Sequence, residues 1–112
     1  MIVYRVETEN GFGPYYTENG PDLFNRRHDG TPNRPFLDLY IRIKHRTYHK
    51  FGFCSICHLE KWFDADDMKI LNKNNYGISK YLVEDKDVIQ DECQLIFDPR
   101  NSQKIEWAPI NA

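Results

Sequence analysis

The apolar residues of this chain change their spacing along the sequence, and this change limits the folds that the chain can adopt. The clearest alternation lies in residues 36–44, where every second residue is apolar: Leu37, Leu39, Ile41 and Ile43. Such alternation is typical of a strand with one buried face. Residues 55–73 follow a helical spacing, and residues 81–83, 94–97 and 104–107 return to short β-type runs. The pattern predicts a sheet combined with helices, which is the α+β class.

Polar residues mark the ends of two predicted helices. Ser55 is placed to cap a helix of about residues 55–63, because a serine side chain can accept from the free N–H groups of the first turn. A second helix is predicted at about residues 65–73, with aspartates at its start and lysines near its end, as the helix dipole favours. Residues 74–77 end it, since Asn and Gly tolerate left-handed backbone.

The start of the chain predicts a β-hairpin. Residues 2–7 and 12–17 are rich in β-forming types, and Asn10-Gly11 between them is a strong hairpin signal. Residues 18–35 are interrupted by Gly and Pro and are expected to form a long loop. The expected architecture is a small antiparallel or mixed β-sheet opened by a β-hairpin, with the two short helices packed on one face.

Size and composition suit one domain. The chain has 112 residues, of which 14% are aromatic, and its formal net charge is −2. Aromatic side chains bury large areas, so a core can form although the mean hydropathy is low. We therefore expect residues 1–112 to form a single α+β domain.

Composition also bounds the compartment and the partners. No apolar run approaches the roughly 20 residues that a membrane helix requires. Arg5 and Glu7 stand where a signal peptide would be apolar, and three cysteines do not suggest a disulfide framework. The near-neutral charge argues against direct nucleic-acid binding through phosphates. We expect a cytoplasmic protein with no membrane partner.

Charged residues concentrate in three segments that could contact a protein partner. These are the loop at residues 18–35, a basic segment at residues 42–50 and an acidic segment at residues 84–92. Opposite charges on separate segments can steer association, although solvated surfaces are the alternative interpretation. The predicted partner-binding residues are Arg26, Arg27, Arg34, Arg42, Lys44, Arg46, Glu84, Asp85 and Asp87.

One cluster has the spacing of a zinc site. His45 and His49 precede Cys54-x-x-Cys57, and two imidazoles with two thiolates can complete a tetrahedron. A second well-spaced cysteine pair is missing from the sequence, and small cysteines are also ordinary buried residues. Zinc therefore stands as an alternative.

Several short segments together resemble a group of small accessory proteins carried by tailed phages and prophages. They are Tyr4-Arg5-Val6-Glu7, Gly11-x-Gly13-Pro14-Tyr15, Phe51-Gly52-Phe53-x-Ser55, Trp62-Phe63 and Gln94-Leu95-Ile96-Phe97-Asp98. The resemblance covers most of the chain and implies a phage accessory protein. Such proteins are often inhibitors of host or defence machinery, anti-CRISPR proteins among them.

A second, partial resemblance is to ADP-ribosyltransferases. Arg5 resembles the arginine with which those enzymes hold NAD, residues 11–17 are similar to their G-x-G-x-Y-F-T strand, and Glu92 is placed like their catalytic glutamate. This resemblance implies a small NAD-dependent mono-ADP-ribosyltransferase with Arg5, Tyr15 and Glu92 as catalytic residues. Arg5 and Gly11 are closer in sequence than in that family.

The function that we expect from the sequence is non-catalytic binding. A phage accessory protein would bind a host or antiviral-defence protein in the host cytoplasm and inhibit or redirect it, as an anti-CRISPR protein does. It would need no cofactor, whereas NAD or zinc would be needed under the two alternatives. A free strand at the sheet edge could also pair two copies as a homodimer.

Overall fold

The computed structural model describes residues 1–14, 50–90 and 95–110. The strands in this part of the chain are β1 (Ile2–Thr8), β2 (Lys50–Gly52), β3 (Tyr76–Val83), β4 (Val88–Gln90), β5 (Leu95–Phe97) and β6 (Ser102–Pro109). The α-helices are α1 (Ile56–Trp62) and α2 (Ala65–Lys73), and 3-10 helices occupy Asp85–Asp87 and Pro99–Asn101. The predicted α+β class with two short helices is confirmed.

The strands form two small antiparallel sheets. The first has the order β1-β3-β6, and the second has the order β2-β5-β4. A bridge between Tyr4 and Phe53 links the edge of β1 to the residue that follows β2. Because side chains alternate along β1 and β3, the first sheet presents one face to the helices and the other to the second sheet.

The face towards the helices, which we call the helix side, holds an apolar cluster. Val6 and Tyr76 of the sheet pack there with Leu59 of α1, Leu71 of α2 and Phe63 between the helices. All five are buried. The cluster includes Phe53, whose ring meets that of Phe63 edge to face at a centroid distance of 6.2 Å.

The opposite face, which we call the second-sheet side, holds a separate apolar cluster. Val3, Tyr81 and Val83 of the first sheet pack against Leu95 and Phe97 of β5. This cluster covers only one end of the strands. Arg5 and Glu7 follow Val3 at alternate positions, so they lie on the same side beyond the apolar cluster.

The helix ends follow the predicted signals. The Ser55 side chain accepts a hydrogen bond from the His58 N–H at 3.1 Å and caps α1. Asp64 and Asp67 form a reciprocal capping box at the start of α2. Asn75 has a φ of 64°, in the left-handed region that asparagine tolerates, and β3 begins at the next residue.

The opening of the chain differs from the predicted hairpin. The turn is present, since Gly11 has a φ of 95° and the Thr8 N–H donates to the Phe12 carbonyl at 2.9 Å. Residues 12–14, however, belong to no strand, and β1 pairs with β3 from Ile2 to Thr8. Pro14 has no N–H to give to a ladder, whereas β3 matches β1 over its whole length.

Other predictions meet the structure in part. The predicted strands at 94–97 and 104–107 correspond to β5 and to a longer β6, and β3 is longer than the predicted 81–83. The acidic segment contains β4, which was not predicted. The predicted strand at 36–44 and the loop at 18–35 lie outside the described residues.

Candidate functional site

A fully buried carboxylate stands at the centre of a charged cluster on the second-sheet side. Glu7 of β1 has no exposed surface. Its Oε1 accepts from Arg5 Nε at 2.7 Å, and its Oε2 accepts from Ser79 Oγ at 2.8 Å and from Tyr81 Oη at 2.7 Å. Lys104 Nζ lies 2.8 Å from the same Oε2. The carboxylate thus connects β1, β3 and β6.

These contacts decide the ionisation of the cluster. Burial alone would raise the pKa of Glu7, but the hydrogen bond from Lys104, the charge of Arg5 and the two hydroxyl donors together lower it below the ordinary value of 4.5. Burial and the bond to Glu7 raise the pKa of Tyr81. Near neutral pH Glu7 is therefore an anion that accepts, and Tyr81 is a neutral phenol that donates.

Cationic side chains connect this cluster to the turn after β1. Lys104 Nζ donates to the Glu9 carbonyl at 3.3 Å, and Lys50 Nζ lies 3.4 Å from the Gly11 carbonyl. Arg5 Nη1 donates to the Phe51 carbonyl at 2.9 Å. We call Arg5, Lys50 and Lys104 the cationic group.

Within the cationic group, Lys50 has the surroundings that disfavour a positive charge. Burial is the largest cause that lowers the pKa of Lys50. The nearby charges of Arg5 and Lys104 lower this pKa further, while the charge of Glu7 raises it. The balance is a lowered pKa, so the surroundings of Lys50 disfavour its positive charge.

A different surface lies at the other end of the first sheet. The helices cover Tyr76 and Ile78 on β3, but they do not reach Leu82, which is 49% exposed. Met1 is 39% exposed, and the side chains of Glu84 and Asp85 are 71% and 84% exposed. These residues form one wall of a shallow open cavity lined by Met1, Leu82, Val83, Glu84, Asp85, Asn101, Ser102 and Gln103. We call it the terminal cavity.

The family of the chain is decided by its match to a family model. The model described as Bacteriophage T4 Y00F protein matches residues 1–111. The chain belongs to this family. The resemblance to phage proteins is therefore confirmed at the level of a phage protein family. No curated protein and no solved structure gave a significant match.

The structure describes one of the three residues predicted for ADP-ribosyl transfer in this phage-family protein. Arg5 lies on β1 with its side chain 13% exposed, paired with Glu7 and with the Phe51 carbonyl. Tyr15 and Glu92 lie outside the described residues, so the geometry of the three together is not tested.

Of the four residues predicted to bind zinc, the structure describes the two cysteines. Cys54 Sγ lies 3.2 Å from His58 Nδ1, and Cys57 is exposed. Within residues 1–14, 50–90 and 95–110, no group of three or more His, Cys, Asp and Glu side chains could hold a metal ion. His45 and His49 lie outside these ranges, so the four-residue set stays a prediction.

The predicted partner-binding residues divide in the same way. Glu84 and Asp85 are exposed beside the terminal cavity, whereas Asp87 is half-buried. The six basic residues lie outside the described residues: Arg26, Arg27, Arg34, Arg42, Lys44 and Arg46.

In the described part of the chain, no helix combines the length and the apolar character needed to cross a membrane.

Sequence reasoning missed the buried role of Glu7 and its partners. Ser79 and Lys104 lie more than 70 residues away in sequence, and only the pairing of β1 with β3 and of β3 with β6 brings them together. One signal was available, because Arg5 and Glu7 continue the alternation of the buried Val3 on a strand. A charged residue at such a position requires a buried partner.

Proposed function

We propose that this phage-family protein binds a host or antiviral-defence protein and inhibits or redirects it, with no chemistry of its own. The observation that carries the proposal is the terminal cavity, where exposed apolar side chains stand beside exposed carboxylates. Met1 and Leu82 are 39% and 49% exposed. Buried apolar contacts provide affinity in protein interfaces, and flanking charges provide orientation and selectivity.

The charges at the terminal cavity favour a basic partner surface. Asp85 is 3.5 Å from the amino group of Met1, and Glu84 is 3.4 Å from Lys86 Nζ. The carboxylates of both pairs are exposed, so each pair contributes little and its cation can be exchanged for one of a partner. We therefore propose a partner segment that carries an apolar side chain next to Lys or Arg.

The experiment that tests the proposal is affinity purification from bacterial host cells that produce the tagged protein. A Leu82→Asp variant places a charge in the apolar contact and should lose the captured partner. Phe12→Asp is the matched control, because Phe12 is 40% exposed and lies in the turn that follows the opposite end of β1. It should keep the partner.

A second comparison tests the electrostatic component. Replacing Glu84 and Asp85 together with lysine should weaken capture, and capture by the wild type should fall with added salt more steeply than capture by this variant. The captured protein should then lose or change its activity when the purified phage-family protein is added. Failure to capture any partner, capture insensitive to all of these substitutions, or a partner with unchanged activity would contradict the proposal.

A further inference from the structure

Positive charges outnumber negative ones around the turn after β1 in the part of the chain that the structure describes. Among the described residues, the cationic group of Arg5, Lys50 and Lys104 surrounds one carboxylate, that of Glu7. Glu7 is already held by Arg5 at 2.7 Å and by Lys104 at 2.8 Å. Lys50 therefore adds a positive charge to a half-buried site that has no further anion among these contacts. Uncompensated charge in such surroundings is costly.

Within residues 1–14, 50–90 and 95–110, two donor groups of the cationic group are not fully used. Lys50 Nζ contacts the Gly11 carbonyl at 3.4 Å, which is long for a charged hydrogen bond. Arg5 uses Nε for Glu7 and Nη1 for the Phe51 carbonyl, and its Nη2 makes no hydrogen bond within the described part of the chain. An ammonium group and one arm of a guanidinium thus lie beside the same turn.

The glycines of the turn lie close to these donors. A side-chain carbon added at Gly13 would lie 2.8 Å from Arg5 Nη2, and one added at Gly11 would lie 3.3 Å from Lys50 Nζ. Any other residue at these positions would crowd the two donors, and Gly11 also has the positive φ that favours glycine. The Gly11-x-Gly13 spacing therefore lets the backbone of the turn approach the cations closely.

Solvent can reach the cationic group but not the carboxylate. The side chain of Lys104 is 30% exposed and that of Arg5 is 13% exposed, while Glu7 is fully buried. An incoming anion would therefore meet the cations before the negative charge of Glu7. A compact anion with several oxygens suits the guanidinium fork and the ammonium groups together.

We propose that Arg5, Lys50 and Lys104 bind a small phosphate-bearing ligand beside the turn at residues 8–13. The phosphate oxygens would accept from Lys50 Nζ and Arg5 Nη2, while Lys104 and Arg5 keep their contacts with Glu7. The site lies at the opposite end of β1 from the terminal cavity and does not depend on partner binding.

The test is thermal unfolding of the whole protein at fixed ionic strength with added inorganic phosphate or added ADP. Either ligand should raise the Tm, because binding to the folded state stabilises it. A larger rise with ADP at equal concentration would assign the phosphate to a nucleotide, and an equal or larger rise with inorganic phosphate would assign it to the free ion. No rise with either ligand would overturn the proposal.

Two lysine variants locate the site. Lys50→Met should bind the ligand about tenfold or more weakly, since it loses a hydrogen bond between an ammonium group and an anion. Lys69→Met makes the same change at an exposed position on α2 and should bind as the wild type does. Equal binding by Lys50→Met and the wild type would overturn the proposal.

A measurement on the wild type covers the case in which Lys50→Met does not fold. The pKa of the Lys50 ammonium can be followed by NMR with and without phosphate. A bound anion should raise this pKa, because the surroundings that now disfavour the charge would contain a compensating one. An unchanged pKa at saturating phosphate would overturn the proposal.

Discussion

The helix side of the β1-β3-β6 sheet is apolar wherever α1 and α2 cover it, whereas the second-sheet side changes from apolar to charged along the same strands. On β1 the change takes place between Val3 and Glu7, both of which are fully buried. Apolar burial stabilises the sheet around Val3, and the hydrogen bonds of a single carboxylate stabilise it around Glu7. The helix side and the charged end of the second-sheet side are therefore stabilised by different interactions.

The helix side and the charged region should differ in how well they tolerate substitutions. Apolar burial is non-directional, so the helix side can lose a methyl group and relax around it. A buried carboxylate with several donors is different, because the loss of one partner leaves charges without compensation. We expect the charged region to be the less tolerant of the two.

Replacement of Glu7 by Gln should have the largest effect on stability. The variant leaves Arg5 and Lys104 beside a neutral amide, and breaking a buried ion pair in this way costs about 3–5 kcal/mol. Urea denaturation of the two proteins measures the difference. Glu106→Gln is the control, because Glu106 pairs with Lys80 at 2.9 Å on an exposed surface. Equal small losses in both variants would show that the Glu7 cluster contributes no more than a surface pair.

On the helix side, Leu71→Ala should cost about 2–5 kcal/mol, since it creates a cavity in a packed core. Leu71 is fully buried, whereas Leu82 is 49% exposed, so Leu82→Ala is the matched control and should change stability little. The same urea experiment measures both. The effect of Leu71→Ala should be the same at neutral and acidic pH, because no titrating contact is removed. A strong pH dependence would contradict the apolar character of this side.

Acid should weaken the charged region selectively. The pKa of Glu7 is lower in the folded protein than its ordinary value of 4.5, so its contribution is fully present above that pH and is lost as the pH falls through the folded value. The stability difference between the wild type and Glu7→Gln should therefore shrink below pH 4.5. This stability difference should not disappear, since a protonated carboxyl still forms hydrogen bonds. Denaturation over a pH series tests this, and a difference that stays constant would contradict the lowered pKa.

The fold was predictable where local signals and burial agree. The predicted helices at 55–63 and 65–73 correspond to Ile56–Trp62 and Ala65–Lys73, because Ser55 and Asp64 cap them and their apolar residues face one core. The hairpin was predicted from the Asn10-Gly11 turn and the β-forming residues on both sides of it. Its return strand is missing from residues 12–14, because a turn signal does not reveal that a distant strand pairs better with β1.

The sites were less predictable than the fold. Glu84 and Asp85 could be proposed as contact residues from their charge, but their position beside Met1 and Leu82 depends on where the helices stop covering the sheet. The Glu7 cluster depends on the register of β6 against β3, where the ladder is irregular between Lys80 and Tyr81. Neither the register nor the irregularity can be derived from the periodicity of one strand.

The smallest expected effect on stability comes from the cap at the start of α2, on the helix side. Asp64 Oδ1 accepts from the Asp67 N–H at 2.8 Å, and Asp64→Ala should cost about 1 kcal/mol, as the loss of an N-cap usually does. Asp66→Ala removes the same charge from the same turn without the cap, and its effect should be smaller. Because α2 packs on the helix side and Glu7 makes its contacts on the second-sheet side, the losses from Asp64→Ala and Glu7→Gln should add in the double variant. A loss that departs clearly from the sum would show that the helix side and the charged region are energetically coupled through the sheet.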